Sequence, residues 1–296
     1  MGRDSSRSRI LLAGANGQLG RALQRQAQQA GCLLRAFDRQ GLDITDTAAV
    51  NAVVDNLRPG IIVNAAAYTA VDRAEQEPER AHAVNRDGVA NLTRAACTCG
   101  AALVHVSTDF IFDGAKGSPY KIDYAPNPQG AYGASKLAGE MAIREIMADE
   151  VLIVRTAWVY SALGNNFVKT MLRLMREREE VRVVEDQIGS PTWAPGLADC
   201  IWRALDRGLA GIHHWTDAGV ASWYDFAVAI YEEALDLGLL AKPVCIKPIT
   251  TVEYPTPAKR PSYSVLDKST TWRALDHVAP HWRVSLRKML QEVANV

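Results

Sequence analysis

Three glycines, at positions 14, 17 and 20, stand in Ile10-Leu-Leu-Ala-Gly-Ala-Asn-Gly-Gln-Leu-Gly20, between a short apolar run and a helix-like stretch. A strand that turns through glycine straight into a helix leads to its next neighbour by a crossover, and therefore to a parallel sheet. The chain repeats the unit. Strand-like Leu33–Phe37, Ile61–Asn64, Ala102–Ser107 and Val151–Arg155 alternate with helix-like Leu19–Ala30, Thr47–Leu57, Pro78–Cys99 and Tyr132–Met147. Short apolar strands separated by helices are those of a sheet covered on both faces. The expected fold is α/β, a Rossmann-like doubly wound parallel sheet with a smaller C-terminal lobe. We expect residues 10–160 to form the first domain and 161–296 mainly the lobe, with the elements of about 181–215 returning to the first domain. Residues 1–9, polar and without an apolar core, are expected to be a disordered extension.

Composition narrows the partners. Lys+Arg and Asp+Glu balance at 33 each, and 22% of residues are charged, so nothing draws the chain to nucleic acid or an anionic membrane. No apolar run approaches transmembrane length. Five cysteines (Cys32, Cys97, Cys99, Cys200, Cys245) form neither a disulfide framework nor a paired zinc pattern, which fits a reducing, cytoplasmic location. His213 and His214 are adjacent, and on a strand they point to opposite faces, so no metal site is expected there.

The glycine turn carries the first chemistry. Gly14 allows the tight turn, Gly17 a close backbone approach to a pyrophosphate, and Gly20 helix–strand packing, with the free N–H groups of the helix facing the phosphates. Bound NADPH or NADH is the expected cofactor. Asp38, just past the second strand, is placed to hold the adenine ribose hydroxyls, whereas Arg39 beside it would meet a 2′-phosphate. The pair leaves NAD against NADP open, and either residue also reads as a solvated loop charge.

The second chemistry is Tyr132 and Lys136 in Gln129-Gly-Ala-Tyr-Gly-Ala-Ser-Lys136. Positions i and i+4 share a helix face, so phenol and ammonium can address one molecule. A cation beside the phenol is expected to lower its pKa toward a useful acid–base range. Ser107-Thr-Asp109 ends a strand at the sheet edge where ligands bind in open α/β folds, and Thr108 can orient a substrate carbonyl. Thr108, Tyr132 and Lys136 form the expected catalytic set for hydride transfer to a carbonyl carbon with proton delivery to its oxygen. A strand-end hydroxyl that merely caps a turn is the plainer alternative for Thr108.

Further strings complete the pattern: Leu42-Asp-Ile-Thr45, Asn64-Ala-Ala-Ala-Tyr-Thr-Ala-Val-Asp72, Ser107-Thr-Asp-Phe-Ile-Phe-Asp-Gly114, Arg155-Thr-Ala-Trp-Val-Tyr160, Asp186-Gln-Ile-Gly-Ser-Pro-Thr192 and Arg260-Pro-Ser-Tyr-Ser264. In this order they resemble the extended short-chain dehydrogenases/reductases, and among them the dTDP-4-dehydrorhamnose reductases. The resemblance covers nearly the whole chain after the first residues. It implies NAD(P)H-dependent reduction of the 4-keto group of a dTDP-linked deoxyhexulose, with the C-terminal lobe binding this substrate. It also implies that Gly17, Gln18 and Leu19 lie along the cofactor pyrophosphate, Asp43 and Ile44 near the adenine, and Ala65, Ala66 and Ala67 beside the cofactor. Val71, Thr108, Asp109 and Trp158 would border the sugar. Phe167 and the loop 186–192 would approach the nucleotide, and Arg260 its diphosphate. Trp158 and Phe167 also read as core, and Arg260 as a surface ion pair.

Some members of the family form a homodimer bridged by Mg²⁺ through acidic residues. The corresponding regions here are Arg21-Ala22 and Trp193-Ala-Pro195, without the carboxylates that Mg²⁺ requires, so a homodimer is admitted but not its metal-bridged form. Related epimerases and 4,6-dehydratases share Thr, Tyr and Lys, but the dehydratases carry an acidic pair after the strand-end Thr. Here Asp109 is followed by Phe110, which favours simple reduction. A reductase-like regulatory subunit is the alternative outside enzymes, and the intact Thr108, Tyr132 and Lys136 weigh against it.

Overall fold

A computed structural model describes residues 9–147 and 151–295. The expected N-terminal extension falls outside them except for Arg9, whose carbonyl accepts from the Gly60 N–H at 2.9 Å. The first half runs β1 (Ile10–Ala13), α1 (Gln18–Ala30), β2 (Leu34–Phe37), α2 (Thr47–Leu57), β3 (Ile61–Asn64), α3 (Val71–Ala74) and α4 (Pro78–His82). A π-helical turn (Ala83–Gly88) joins α4 to α5 (Val89–Cys99), followed by β4 (Ala102–Thr108), α6 (Ala131–Ile146) and β5 (Val151–Thr156). The second half continues with β6 (Val159–Tyr160), α7 (Phe167–Glu177), β7 (Glu180–Val184), β8 (Ile188–Gly189), β9 (Thr192–Trp193), α8 (Ala194–Asp206), β10 (Gly211–His214) and β11 (Ala221–Ser222). It ends with α9 (Trp223–Asp236), β12 (Cys245–Ile249), α10 (Ser269–Leu275) and α11 (Trp282–Ala294).

Six strands form one parallel sheet in the order β10-β5-β4-β3-β1-β2. The order reverses between β1 and β3, and the crevice beyond the C-terminal ends of those strands is where α/β sheets bind ligands. Apolar side chains on both faces explain why the strands read as unbroken apolar runs. Leu12, Val63 and Val154 pack with Leu23 of α1, Ile201 of α8 and Trp215 on one side. Leu11, Ile62 and Ile153 meet Val50 of α2, Leu92 of α5 and Ile143 of α6 on the other.

The single long helix expected over 78–99 is interrupted by the π-helical turn. The buried Asn85 explains its position. Its amide receives the Tyr68 N–H at 2.8 Å and donates to the Tyr68 carbonyl (3.0 Å) and to Ser135 Oγ (2.9 Å). One extra residue in the turn aims this side chain at both the loop after β3 and α6.

The lobe has its own core, in which Met171 and Leu172 of α7, Phe226 and Ile230 of α9 and Leu286 and Met289 of α11 come together. Its strands are short, and three of its pairs hold only two residues each or join distant segments, as β7 with β12. Residues 180–184 pair with β12 and not with the large sheet, to which the chain returns through α8, packed on α1, and β10, paired with β5.

Candidate active site

The sheet turns its β1 and β3 ends toward a cleft of about 500 Å³. Gly14 has φ +92°, and a Cβ there would lie 2.6 Å from the Ala65 carbonyl carbon, so only glycine lets the first turn pass this close to the loop after β3. Helix α1 then begins with no side-chain cap and no acidic residue in its first turn, leaving its N–H groups free toward the cleft. Gly17, Gln18 and Leu19 line the cleft, as do Ala65 and Ala67 from the neighbouring loop after β3. A glycine cradle, an uncapped helix N-terminus and a long cleft fit the pyrophosphate and nicotinamide ends of NAD(P)H.

Thr108, Asp109, Tyr132 and Lys136 line the same cleft. Helix α6 begins where it does because Glu75 accepts the Ala131 N–H at 2.7 Å, and this sets Tyr132 and Lys136 one turn apart on the cleft side. Phe110 meets the Tyr132 ring edge-on, 5.5 Å between centroids. The Thr108 hydroxyl donates to Asp109 Oδ1 at 3.1 Å and accepts from the Phe110 N–H at 3.2 Å. Burial pushes the Asp109 carboxyl up to about 6, against the pull of its hydrogen bonds. Lys136 Nζ donates to the Val106 carbonyl at 2.7 Å and lies 3.3 Å from His105 Nε2. Burial brings it down to about 8, although Glu140 nearby favours the ammonium.

The phenol does not follow the expected direction. Burial pushes Tyr132 up to about 12, the Thr108 hydroxyl pulls the other way, and the Asp109 carboxylate adds to the rise. The Lys136 amine is directed at Val106 and His105 instead of the phenol, so the sequence spacing places the cation near Tyr132 without lowering it. Tyr132 is held as a protonated acid.

The lobe supplies the facing wall. Trp158 lines the cleft with φ +46°, a left-handed backbone rare for so large a residue. Its ring stacks on Trp223 at 3.5 Å, and a Cβ at Gly189 would lie 2.6 Å from it. The glycine of the Gly189-Ser-Pro-Thr192 string thus leaves room for Trp158. Trp223, which stands behind Trp158, escaped the sequence reading as a site residue, as did Asn16, Asn165 and Leu197, which line the cleft. Phe167 packs on Trp223 and Phe226, with centroids 4.6 and 5.6 Å apart.

Other residues singled out in the sequence lie outside this lining. Asp38 accepts the Asn16 side-chain amide at 2.7 Å, tying the second strand end to the glycine turn. Arg39 and Asp43 pair with each other at 3.4 Å, and Asp43 also accepts both the backbone and hydroxyl of Thr45. Ile44 is buried in the core under α2. The Ala66 N–H donates to Asn64 Oδ1 at 3.0 Å. Arg260 makes a two-pronged ion pair with Asp72 (2.9 and 2.8 Å), joining two of the distinctive strings 188 residues apart. Val71, one residue earlier, lines the cleft.

A Rossmann sheet with a glycine-turn cradle and a Thr/Tyr/Lys set in one cleft defines an NAD(P)H-dependent oxidoreductase of the short-chain type. Residues 8–295 match the family model described as the RmlD substrate binding domain. The chain is 43% identical to the dTDP-4-dehydrorhamnose reductase of Escherichia coli K12 over 293 residues, covering 96% of this chain and 97% of that one. The Streptomyces griseus protein of the same name is 43% identical over 286 residues, covering 95% and 92%. A crystal structure of the Bacillus anthracis dTDP-4-dehydrorhamnose reductase in complex with NADP superposes with a TM-score of 0.91 at 40% identity, covering 96% of this chain and 99% of that one. The chain belongs to the dTDP-4-dehydrorhamnose reductase family. Among the described residues no helix is long and apolar enough to cross a membrane.

Proposed function

We propose that this chain reduces the 4-keto group of dTDP-6-deoxy-L-lyxo-4-hexulose with NADPH or NADH, giving dTDP-L-rhamnose. The observation that carries the reading is one cleft lined at one end by the glycine turn and at the other by Thr108, Tyr132 and Lys136. When bound, the nicotinamide supplies hydride to the carbonyl carbon. Tyr132, kept as a phenol by burial, gives its proton to the oxygen as charge develops there. Lys136, four residues along α6 and lining the same cleft, would hold the cofactor ribose through its amine. Thr108, anchored by Asp109 and the Phe110 N–H, positions the oxygen at the end of β4. Trp158 stacked on Trp223 offers a flat apolar wall to the sugar, and Val71 closes the opposite side. Asp43 and Ile44 support the adenine end. Arg260, drawn from Asp72, reaches the substrate diphosphate.

The test follows nicotinamide absorbance with the purified protein, the keto sugar nucleotide and either reduced cofactor. Stoichiometric oxidation of the cofactor is the expected result. A folded protein that binds cofactor yet oxidises none of it would sink the reading.

A further inference from the structure

Behind the catalytic lysine runs a buried chain of polar groups that no step above uses. The register of β3 and β4 sets Asn64 directly beside His105. Both side chains are closed off from solvent, His105 fully so. Asn64 Oδ1 accepts the Ala66 N–H at 3.0 Å, which leaves the Asn64 Nδ2 to face His105 Nδ1 at 3.2 Å. Turning the amide over would set its NH₂ against the Ala66 N–H and leave a buried donor unmatched. The His105 Nδ1 is therefore an acceptor. A neutral imidazole then carries its hydrogen on Nε2, and burial keeps His105 neutral by holding its pKa well below the ordinary value. That Nε2–H points at Lys136 Nζ, 3.3 Å away. An amine can accept this hydrogen, whereas an ammonium has only donors.

We propose that His105, locked by Asn64 as the Nε2–H tautomer, is a positioning residue that meets Lys136 with a donor and eases the loss of its proton. A hydrogen bond available only to the neutral amine favours that form. The Val106 carbonyl holds the amine in place in either state. The inference rests on the reading of Lys136 as part of the catalytic set. Several other charges around α6 are already engaged, Glu75 with the Ala131 N–H among them. Glu140, which favours the ammonium, is paired with the buried Arg155 at 2.7 Å. Asp72 is paired with Arg260, Glu77 with Arg80 and Arg86 with Asp87, and Asp109 accepts from Thr108.

The test needs no turnover. Nitrogen-15 shifts of the wild-type imidazole should report hydrogen on Nε2, and the Lys136 titration is followed by the carbon-13 shift beside its amine. Asn64→Asp has the same shape but accepts from Nδ1–H, so it should switch the tautomer and raise the Lys136 proton affinity tenfold or more. His105→Phe should raise it as well, and adding Asn64→Asp to His105→Phe should then change little, which separates transmission through the ring from the mere charge of the new carboxylate. The basic limb of the kcat/KM profile should move with the titration in any active variant. A wild-type ring with hydrogen on Nδ1 overturns the proposal even if neither variant folds. So does a Lys136 midpoint unmoved by folded Asn64→Asp or His105→Phe. Failure to turn over the keto sugar would leave both spectroscopic results standing and count against the function instead.

Discussion

The two walls of the cleft are built in opposite ways. The sheet-side wall rises from regular strand–turn–helix units in which the functional group sits within a few residues of the element that aims it: Gly14 after β1, Thr108 at the end of β4, Tyr132 and Lys136 in the first turns of α6. The lobe-side wall is assembled from segments far apart in sequence. Trp158 needs Trp223 to stack on and Gly189 to leave it space, and outside the lining Arg260 reaches back across 188 residues to Asp72. In the proposed function the chemistry sits on the rigid wall, and the surface suited to recognising a particular sugar nucleotide sits on the composite one. Such a division lets one reaction be kept while specificity is altered in loops.

Tyr132→Phe should separate the two walls most sharply. Loss of the proton donor is expected to lower kcat roughly 10²–10⁴-fold. Cofactor affinity, read by fluorescence titration, should be nearly unchanged because the glycine turn is untouched. Unchanged turnover would remove Tyr132 from the mechanism.

Asp109→Asn probes the rigid wall by pH. The buried carboxyl binds its proton more tightly in the folded protein (about 6) than at the ordinary 3.8. Its contribution to stability is therefore full below pH 3.8 and lost as pH rises through about 6. The gap corresponds to about 3 kcal/mol. Thermal unfolding of variant and parent should diverge in the variant's favour between pH 4 and 7; parallel curves would show that burial does not set this carboxyl.

Trp223→Ala should sharpen the contrast from the other side. Removing the stacked partner of Trp158 is expected to cost roughly 2–4 kcal/mol of stability by denaturant unfolding. KM for the sugar nucleotide should rise with little change in cofactor binding. A fall in kcat with KM constant would mean that this wall takes part in the chemistry.

The smallest effect is expected at Arg260 and Asp72. The pair is partly exposed, so a double-mutant cycle of Arg260→Gln and Asp72→Asn should give a coupling under about 1 kcal/mol in unfolding. Asp72→Asn alone frees the guanidinium and should leave KM unchanged or lower it, whereas Arg260→Gln should raise it. Equal increases in KM would make the pair structural only.

The two walls also differed in how far the sequence exposed them. Helix and strand periods and the glycine turn are local signals, and the parallel sheet follows from them. The Tyr132–Lys136 spacing is local too, and it placed both side chains on the cleft. Its electrostatic consequence was not local: whether the lysine lowers the phenol depends on what else the amine touches, and His105 and Val106 come from another strand. The π-helical turn at 83–88 escaped because its cause, Asn85 bonding to Tyr68 and Ser135, spans 17 and 50 residues.

By itself, then, the sequence determined the fold class, the glycine turn, the gathering of Thr108, Tyr132 and Lys136 and the likeness to a reductase family, because each is written in residues close together or in strings kept in order. Tertiary structure alone decided that Tyr132 is a half-buried phenol pushed above its ordinary pKa, that Trp158 takes a left-handed backbone against Trp223, that Arg260 pairs with Asp72, and that His105 stands behind Lys136. Those outcomes depend on burial and on hydrogen-bond partners brought together by strand register and lobe packing, over separations at which no periodicity survives.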